Sequence, residues 1–156
     1  MLDQIEKELN GELKSKFEGF DIEPFPAKFE DYSFTSHNGC LLIRYNGSSF
    51  SNQNTVLAAN QSETYTYSMI MGIRYCNSFK DCYKWIKLLK DTLNGLTICG
   101  YRIVLKQVKF LEEIDTDLWW GVSFSLVQEF EDKNKKDYWW EDRAKIIDAL
   151  VQPIVH

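Results

Sequence analysis

The stretch TYTYSMIMGIRY, Thr64 to Tyr75, alternates almost without fault. Tyr65, Tyr67, Met69, Met71, Ile73 and Tyr75 fall on one side of an extended chain, and Thr64, Thr66, Ser68, Ile70, Gly72 and Arg74 on the other. Successive side chains of a strand point to opposite faces, so a period of two sustained this long specifies a strand with one face on a core and one mostly wet. Such a strand cannot stand alone. It needs neighbours in a sheet and a layer to cover its apolar side.

Three other stretches supply strand neighbours. Asp117 to Phe130, DLWWGVSFSLVQEF, sets Leu118, Trp120, Val122, Phe124, Leu126 and Phe130 against Gly121, Ser123, Ser125 and Glu129. Tyr101 to Glu113, YRIVLKQVKFLEE, alternates less well, and the short link EIDTD joins the two into a long hairpin. Cys40 to Asn46, CLLIRYN, is an apolar run of strand length in which Leu41, Ile43 and Tyr45 share a face. Residues 20–39 hold two of the three prolines and read as a wrapped connection with at most a short strand near Phe20–Glu23.

Two helical patterns supply the covering layer. Leu2, Ile5, Leu9, Leu13 and Phe17 recur at helical spacing, with Gly11 as a weak point and Gly19 as the stop. Cys82, Trp85, Ile86, Leu89 and Leu93 make a second stripe, with Lys80, Lys84, Lys87 and Lys90 on the outer face. Ser78 and Asp81 resemble a capping box at its start, and Asn94-Gly95 ends it.

Gly47 to Glu63 is polar, rich in Ser, Asn and Gln, and without a period. A loop of this length inside a compact domain is uncommon and usually functional or disordered. Lying between two strand signals, it reads as an extended hairpin arm. The C-terminal stretch KKDYWWED places Tyr138, Trp139 and Trp140 among charges, and a short helix is expected within Asp142–Leu150, stopped by Pro153. Those aromatics either fold back on their own domain or serve a neighbour.

The expected fold is α+β, a two-layer sandwich of a mainly antiparallel four-stranded sheet with two helices on one face, plus an extended hairpin arm and a C-terminal tail. Residues 1–130 form the domain and 131–156 the charged, aromatic tail. Thr64–Tyr75 and Tyr101–Glu113 flank a helix and are candidates for parallel neighbours through a right-handed crossover.

The same sequence is poor in chemistry. Its two histidines, His37 and His156, lie in a loop and at the last position, so no nucleophile has an evident base. No phosphate-cradling glycine motif occurs. Cys40, Cys76, Cys82 and Cys99 form no CxxC pair and read as reduced, mostly buried thiols rather than zinc ligands. Glu112, Glu113, Asp115 and Asp117 surround a hairpin turn and read as solvated. A net charge of −5 opposes non-specific nucleic-acid binding, although the lysine face of the second helix could touch phosphates. No run is long and apolar enough to span a membrane, and the charged N-terminus is not a signal peptide, so the chain is expected to be made in the cytoplasm. No catalytic, metal-binding or cofactor-binding residue is expected. Tyr, Trp and Arg dominate interface hot spots, and the aromatic tail fits a subunit of an assembly better than a lone enzyme.

The segments LLIRYNGSSF, YSMIMGIRY running into CYKWIKLLKDTLNGL, and FLEEIDTDLWWGVSFSLVQEF resemble the tail-terminator family of Mu-like contractile phages and prophages. The resemblance covers Met1 to Phe130. It implies a structural virion protein that forms a homohexameric ring on the head-proximal end of the tail tube, ends tail polymerisation and joins tail to neck. Its partners would be other copies of itself, the tail tube protein and neck or connector proteins, with the tail sheath as a further candidate and DNA only passing through the lumen. Gly47, Ser48, Ser49 and Phe50 would open an arm reaching along the ring or tube, and on that reading Tyr138, Trp139 and Trp140 would anchor on a neighbour or on the tail sheath or neck. A neck or head-completion protein of the same particle is the alternative within this class. A small cytosolic enzyme or ligand-binding domain is the alternative outside it.

Overall fold

The computed structural model describes residues 1–51 and 62–128. Helix α1 spans Leu2–Lys16 and buries Ile5, Leu9 and Leu13, with Phe17 buried just past its end. Strand β1, Phe20–Pro24, leads through a single 3-10 turn, Phe29–Asp31, to β2, Gly39–Ser51. Then come β3, Ser62–Ile73, helix α2, Lys80–Leu93, the two-residue β4, Thr97–Ile98, and the hairpin of β5, Tyr101–Ile114, and β6, Asp117–Gln128.

The sheet corrects the expected architecture. Among the described residues it has six strands, not four, in the order β1-β2-β3-β6-β5-β4. It is mixed, because β1 runs parallel to β2 while every other pair is antiparallel. It curls into a half-barrel, so the described residues are mostly β with two helices rather than a two-layer sandwich on a four-stranded antiparallel sheet; the short helix expected within Asp142–Leu150 lies outside the described residues. The reasons are local. β1 hides in the proline-containing connection, and β4 is too short to show a period. Three register shifts, at Tyr45/Gly47, Leu105/Gln107 and Phe110/Glu112, each add a residue to one strand and sharpen its twist.

The expected crossover is also absent. β3 pairs with β6, not β5. β6 carries apolar groups to both faces: Leu118, Val122, Phe124 and Leu126 on one and Trp119 on the other, all buried. A strand buried on both faces belongs in the sheet interior. β5 exposes Lys106, Gln107, Lys109, Glu112 and Glu113, which suits a place nearer the edge.

One face of the sheet holds the main core. Leu41, Ile43, Tyr65, Tyr67, Met69, Met71, Ile73, Val122, Phe124 and Leu126 pack there with the stripes of both helices. In α2 the buried residues are Cys82, Ile86, Leu89 and Leu93, and Trp85 is half-buried. Asp81 fills half of the expected capping box: its carboxylate accepts from the backbone N–H groups of Asn77 at 2.8 Å and Ser78 at 3.3 Å. Phe79, not Ser78, occupies the cap position itself.

The opposite face is covered at one end by the connection between β1 and β2. Phe34, Cys40, Leu42 and Trp119 form a second small core, with Phe25, Phe29, Tyr32 and Ile70 packed against it. Trp119 meets Phe29 and Phe34 edge-on at 5.3 and 5.8 Å between ring centroids. Arg74 stacks its guanidinium 4.0 Å from the Phe34 ring centroid and donates to the Phe34 carbonyl at 2.5 Å. The connection is pinned at its base by Asp21, whose carboxylate accepts from the Thr35 N–H at 2.8 Å and the Ser36 hydroxyl at 2.5 Å.

Candidate assembly interface

The arm predicted to begin at Gly47 starts as a continuation of β2. Gly47, Ser48, Ser49 and Phe50 pair with Thr66, Tyr65, Thr64 and Glu63 of β3, so the arm has a hairpin stem. Residues 52–61, which would form its far end, lie outside the described residues. The register slips between Tyr45 and Gly47. Gly47 has φ +125, in the region that favours glycine. Asn46, the extra residue, is tied to the sheet surface, accepting from Arg44 Nε at 2.9 Å and donating to Ser68 Oγ at 2.9 Å.

Below the stem, Tyr45 packs on Tyr67 at 5.5 Å, and Tyr65 meets Tyr101 edge-on at 5.1 Å. The Tyr45 hydroxyl shares a 2.6 Å hydrogen bond with Ser48 Oγ. Burial pushes the Tyr67 hydroxyl up to about 12, so it stays protonated and braces the core as an apolar ring. This aromatic base packs beneath the stem while its outer residues face solvent: Phe50 is 59% exposed. Tyr138, Trp139 and Trp140 lie outside the described residues.

Sequence reading overlooked two features. The first is a pair of open strand stretches. β1 meets β2 only from Gly39 to Ile43, which leaves Arg44–Ser51 without a strand on that side among the described residues. β4 meets only Tyr101 and Arg102 of β5, and Ile103 adds hydrogen bonds with Gly95 and Leu96. From Val104 to Ile114, β5 has no strand on its outer side among the described residues. The pairings Gly39↔Ile73↔Leu118↔Glu113 mark one end of the sheet, and Ser48↔Tyr65↔Leu126↔Ile103 mark the other. The two open stretches therefore lie on opposite edges and run toward opposite ends.

The second is an aromatic patch beside the β5 edge. Phe79, Phe110 and Trp120 pack mutually edge-on, with ring centroids 5.0 to 6.1 Å apart. Phe79 remains 49% and Phe110 37% exposed, with Leu111 and Ile114 exposed on the same strand. The signal was present in the sequence: adjacent Phe110 and Leu111 break the period of two, which is the mark of a bulge.

The described residues contain no group of three or more His, Cys, Asp and Glu side chains arranged to hold a metal ion. His37 is exposed, as are Glu112, Glu113 and Asp115 around the β5–β6 turn. The lysines of α2 face solvent, where Lys84 sits 4.8 Å from the Trp85 ring centroid and Lys87 pairs with Asp91 at 3.7 Å. Among the described residues no helix is long and apolar enough to cross a membrane. What stands out is edge and aromatic surface.

The family described as Gp37 protein matches residues 11–136, from within α1 to beyond the end of β6. The chain is a phage protein of the Gp37 family. The match takes in both open strand stretches, the arm and the patch of this Gp37 protein, and ends before Tyr138, Trp139 and Trp140. No curated protein matches the Gp37 chain.

Proposed function

We propose that this Gp37 protein is a virion structural protein that closes into a ring at the head-proximal end of a phage tail tube, stops tube growth and joins the tail to the neck. The observation that carries the reading is the pair of open strand stretches on opposite edges. Through β3, β6 and β5, each antiparallel to the last, β5 runs opposite to β2. Copies in one orientation, each offset along the strand direction from the last, therefore bring Val104–Ile114 of one against Arg44–Ser51 of the next as an antiparallel pair. That contact is head-to-tail, and head-to-tail contacts close into rings when the rotation per subunit closes. It also removes the liability of unpaired backbone groups at two edges.

The remaining features fit this arrangement. A curled sheet supplies rotation from one copy to the next. The arm stem stands beside the β2 edge, so an arm carried on it reaches the adjoining copy or the tube. Gly47, Ser48, Ser49 and Phe50 are its contact residues on this reading. Phe79 and Phe110, beside the β5 edge, are placed to receive apolar groups such as Trp139 and Trp140 of a neighbour. The net charge of −5 suits a lumen that DNA passes without binding. On the tail-terminator resemblance the expected ring has six copies, sits at the tail–neck junction and is assembled in the host cytoplasm.

Amide hydrogen exchange tests the edge contact directly. On assembly, protection is expected to rise in Arg44–Ser51 and Val104–Ile114 together while β3 and β6, already paired on both sides, change little. An assembly that forms with both stretches exchanging as in the monomer would refute the edge-paired ring.

A further inference from the structure

Cys76 and Cys82 are both buried, and their sulfurs lie 3.2 Å apart. Cys76 sits just past the end of β3, and Cys82 in the first turn of α2. A disulfide needs about 2.05 Å between sulfurs, so closing the pair requires a shift of only about 1 Å. The chain between them is already fixed. The Cys76 N–H donates to the Thr116 carbonyl at 2.8 Å, and the Tyr75 N–H to Asp117 Oδ1 at 3.3 Å. Asp81 holds the N–H groups of Asn77 and Ser78. Tyr75 takes a left-handed φ of +60 to make the turn. The two thiols are therefore held together by the fold.

Access is one-sided. Cys76 is 5% exposed and Cys82 fully buried. Cys76 lines a depression of about 310 Å³ with Asn77, Ser78, Phe79, Glu113 and Leu118. A small oxidant reaching Cys76 finds Cys82 directly behind it.

We propose that Cys76 and Cys82 are a peroxide-oxidisable pair that closes to an intramolecular disulfide, locking the start of α2 to the end of β3. The Cys76 sulfur attacks one oxygen of the peroxide. The O–O bond breaks, an S–O bond forms, and the first water leaves with the thiol proton. The Cys82 sulfur then attacks the Cys76 sulfenic acid, the S–O bond breaks, and the second water leaves. Two thiols and one hydrogen peroxide thus give one disulfide and two waters, with the peroxide taking both electrons. Cys82 acts as the resolving thiol.

Burial, with the hydrogen bond and charge of Cys82 adding to it, pushes the Cys76 thiol up to about 12. Little thiolate is present at neutral pH, so the pair stays reduced during synthesis and closes slowly. The occasion for closure rests on the virion reading: a particle assembled in a reducing cytoplasm moves to oxidising surroundings on release. The lock would fix Phe79, which lies between the two cysteines, and with it the aromatic patch beside the β5 edge.

The test uses the purified full chain treated with hydrogen peroxide, then denatured, alkylated and mapped by mass spectrometry. The expected product is lighter by two hydrogens, with Cys76 and Cys82 unalkylated and Cys40 and Cys99 labelled. Its melting temperature rises and returns to the starting value on reduction. In Cys82→Ser the oxidised Cys76 has no resolving partner, so an added oxygen replaces the bridge and the reversible melting shift is lost. Alkylation of all four thiols after peroxide, a bridge between a different pair, or oxygen addition at Cys76 with Cys82 still a thiol in the natural sequence would each overturn the proposal. Because the readout is on the isolated chain, failure of the ring reading leaves this result intact.

Discussion

Trp119 shows how much one side chain can decide. Its ring lies so close to Gly72 that a Cβ there would stand 2.7 Å from it. The neighbour is a large ring wedged between Phe29 and Phe34, not a flexible chain end. Gly72→Ala is therefore expected to destabilise the protein by about 1–3 kcal/mol through overpacking, measured by chemical denaturation. Unchanged stability would mean that the second core yields freely. Alternation placed Tyr65, Tyr67, Met69, Met71, Ile73 and Tyr75 on the buried side; the first five are buried, and Tyr75 is exposed because β3 ends at Ile73 and the chain turns there with φ +60. The same alternation set Trp120 on the core side, where it is half-buried, yet Trp119 is the more deeply buried of the two. Nothing in the period of β6 announces a cover on its second face, because that cover comes from residues 25–38, far away in sequence.

At the scale of elements, the β1–β2 connection is held less by its own pattern than by the Asp21 clasp. Partial burial pushes the Asp21 carboxyl upward, but hydrogen bonds from the Ser36 side chain, the Thr35 and Ser36 N–H groups and the Thr35 hydroxyl outweigh it and hold it below the usual value. A folded-state value below the unfolded one means that the clasp stabilises the fold above the unfolded value, about 3.9, and loses that contribution as pH falls through the lower folded value. Asp21→Asn should therefore be less stable than the natural sequence at neutral pH, with the gap narrowing below about pH 4. Urea titrations across pH measure it, and a gap that stays constant into acid would contradict the role of the charge. Both helices were legible because a 3.6-residue stripe survives over fourteen or fifteen residues. β1 was legible only as a short strand near Phe20–Glu23 inside the connection, and β4 was missed, since two residues carry too little pattern. β5 was read as only moderately alternating because one bulge moves its core side from Ile103 and Leu105 to Val108 and Phe110, and a second, after Phe110, moves it again.

At the scale of the molecule, strand order was out of reach of local pattern. The crossover between β3 and β5 is a sound prior for strands flanking a helix, but it lost to burial on both faces of β6. The open edges are a property of that order, so they could not be seen before it. The arm could be anticipated from a long polar stretch between strands, and its stem is present. The aromatic tail lies outside the described residues, so the choice between folding back and reaching a neighbour passes to the assembly. The most direct measurement is the native mass of the full chain across a concentration series, alone and with purified tail tubes. The edge-paired ring predicts one closed oligomer, formed by the chain alone or on addition of tubes, with no open ladder of sizes. A chain that stays monomeric at every concentration and ignores tail tubes would contradict it.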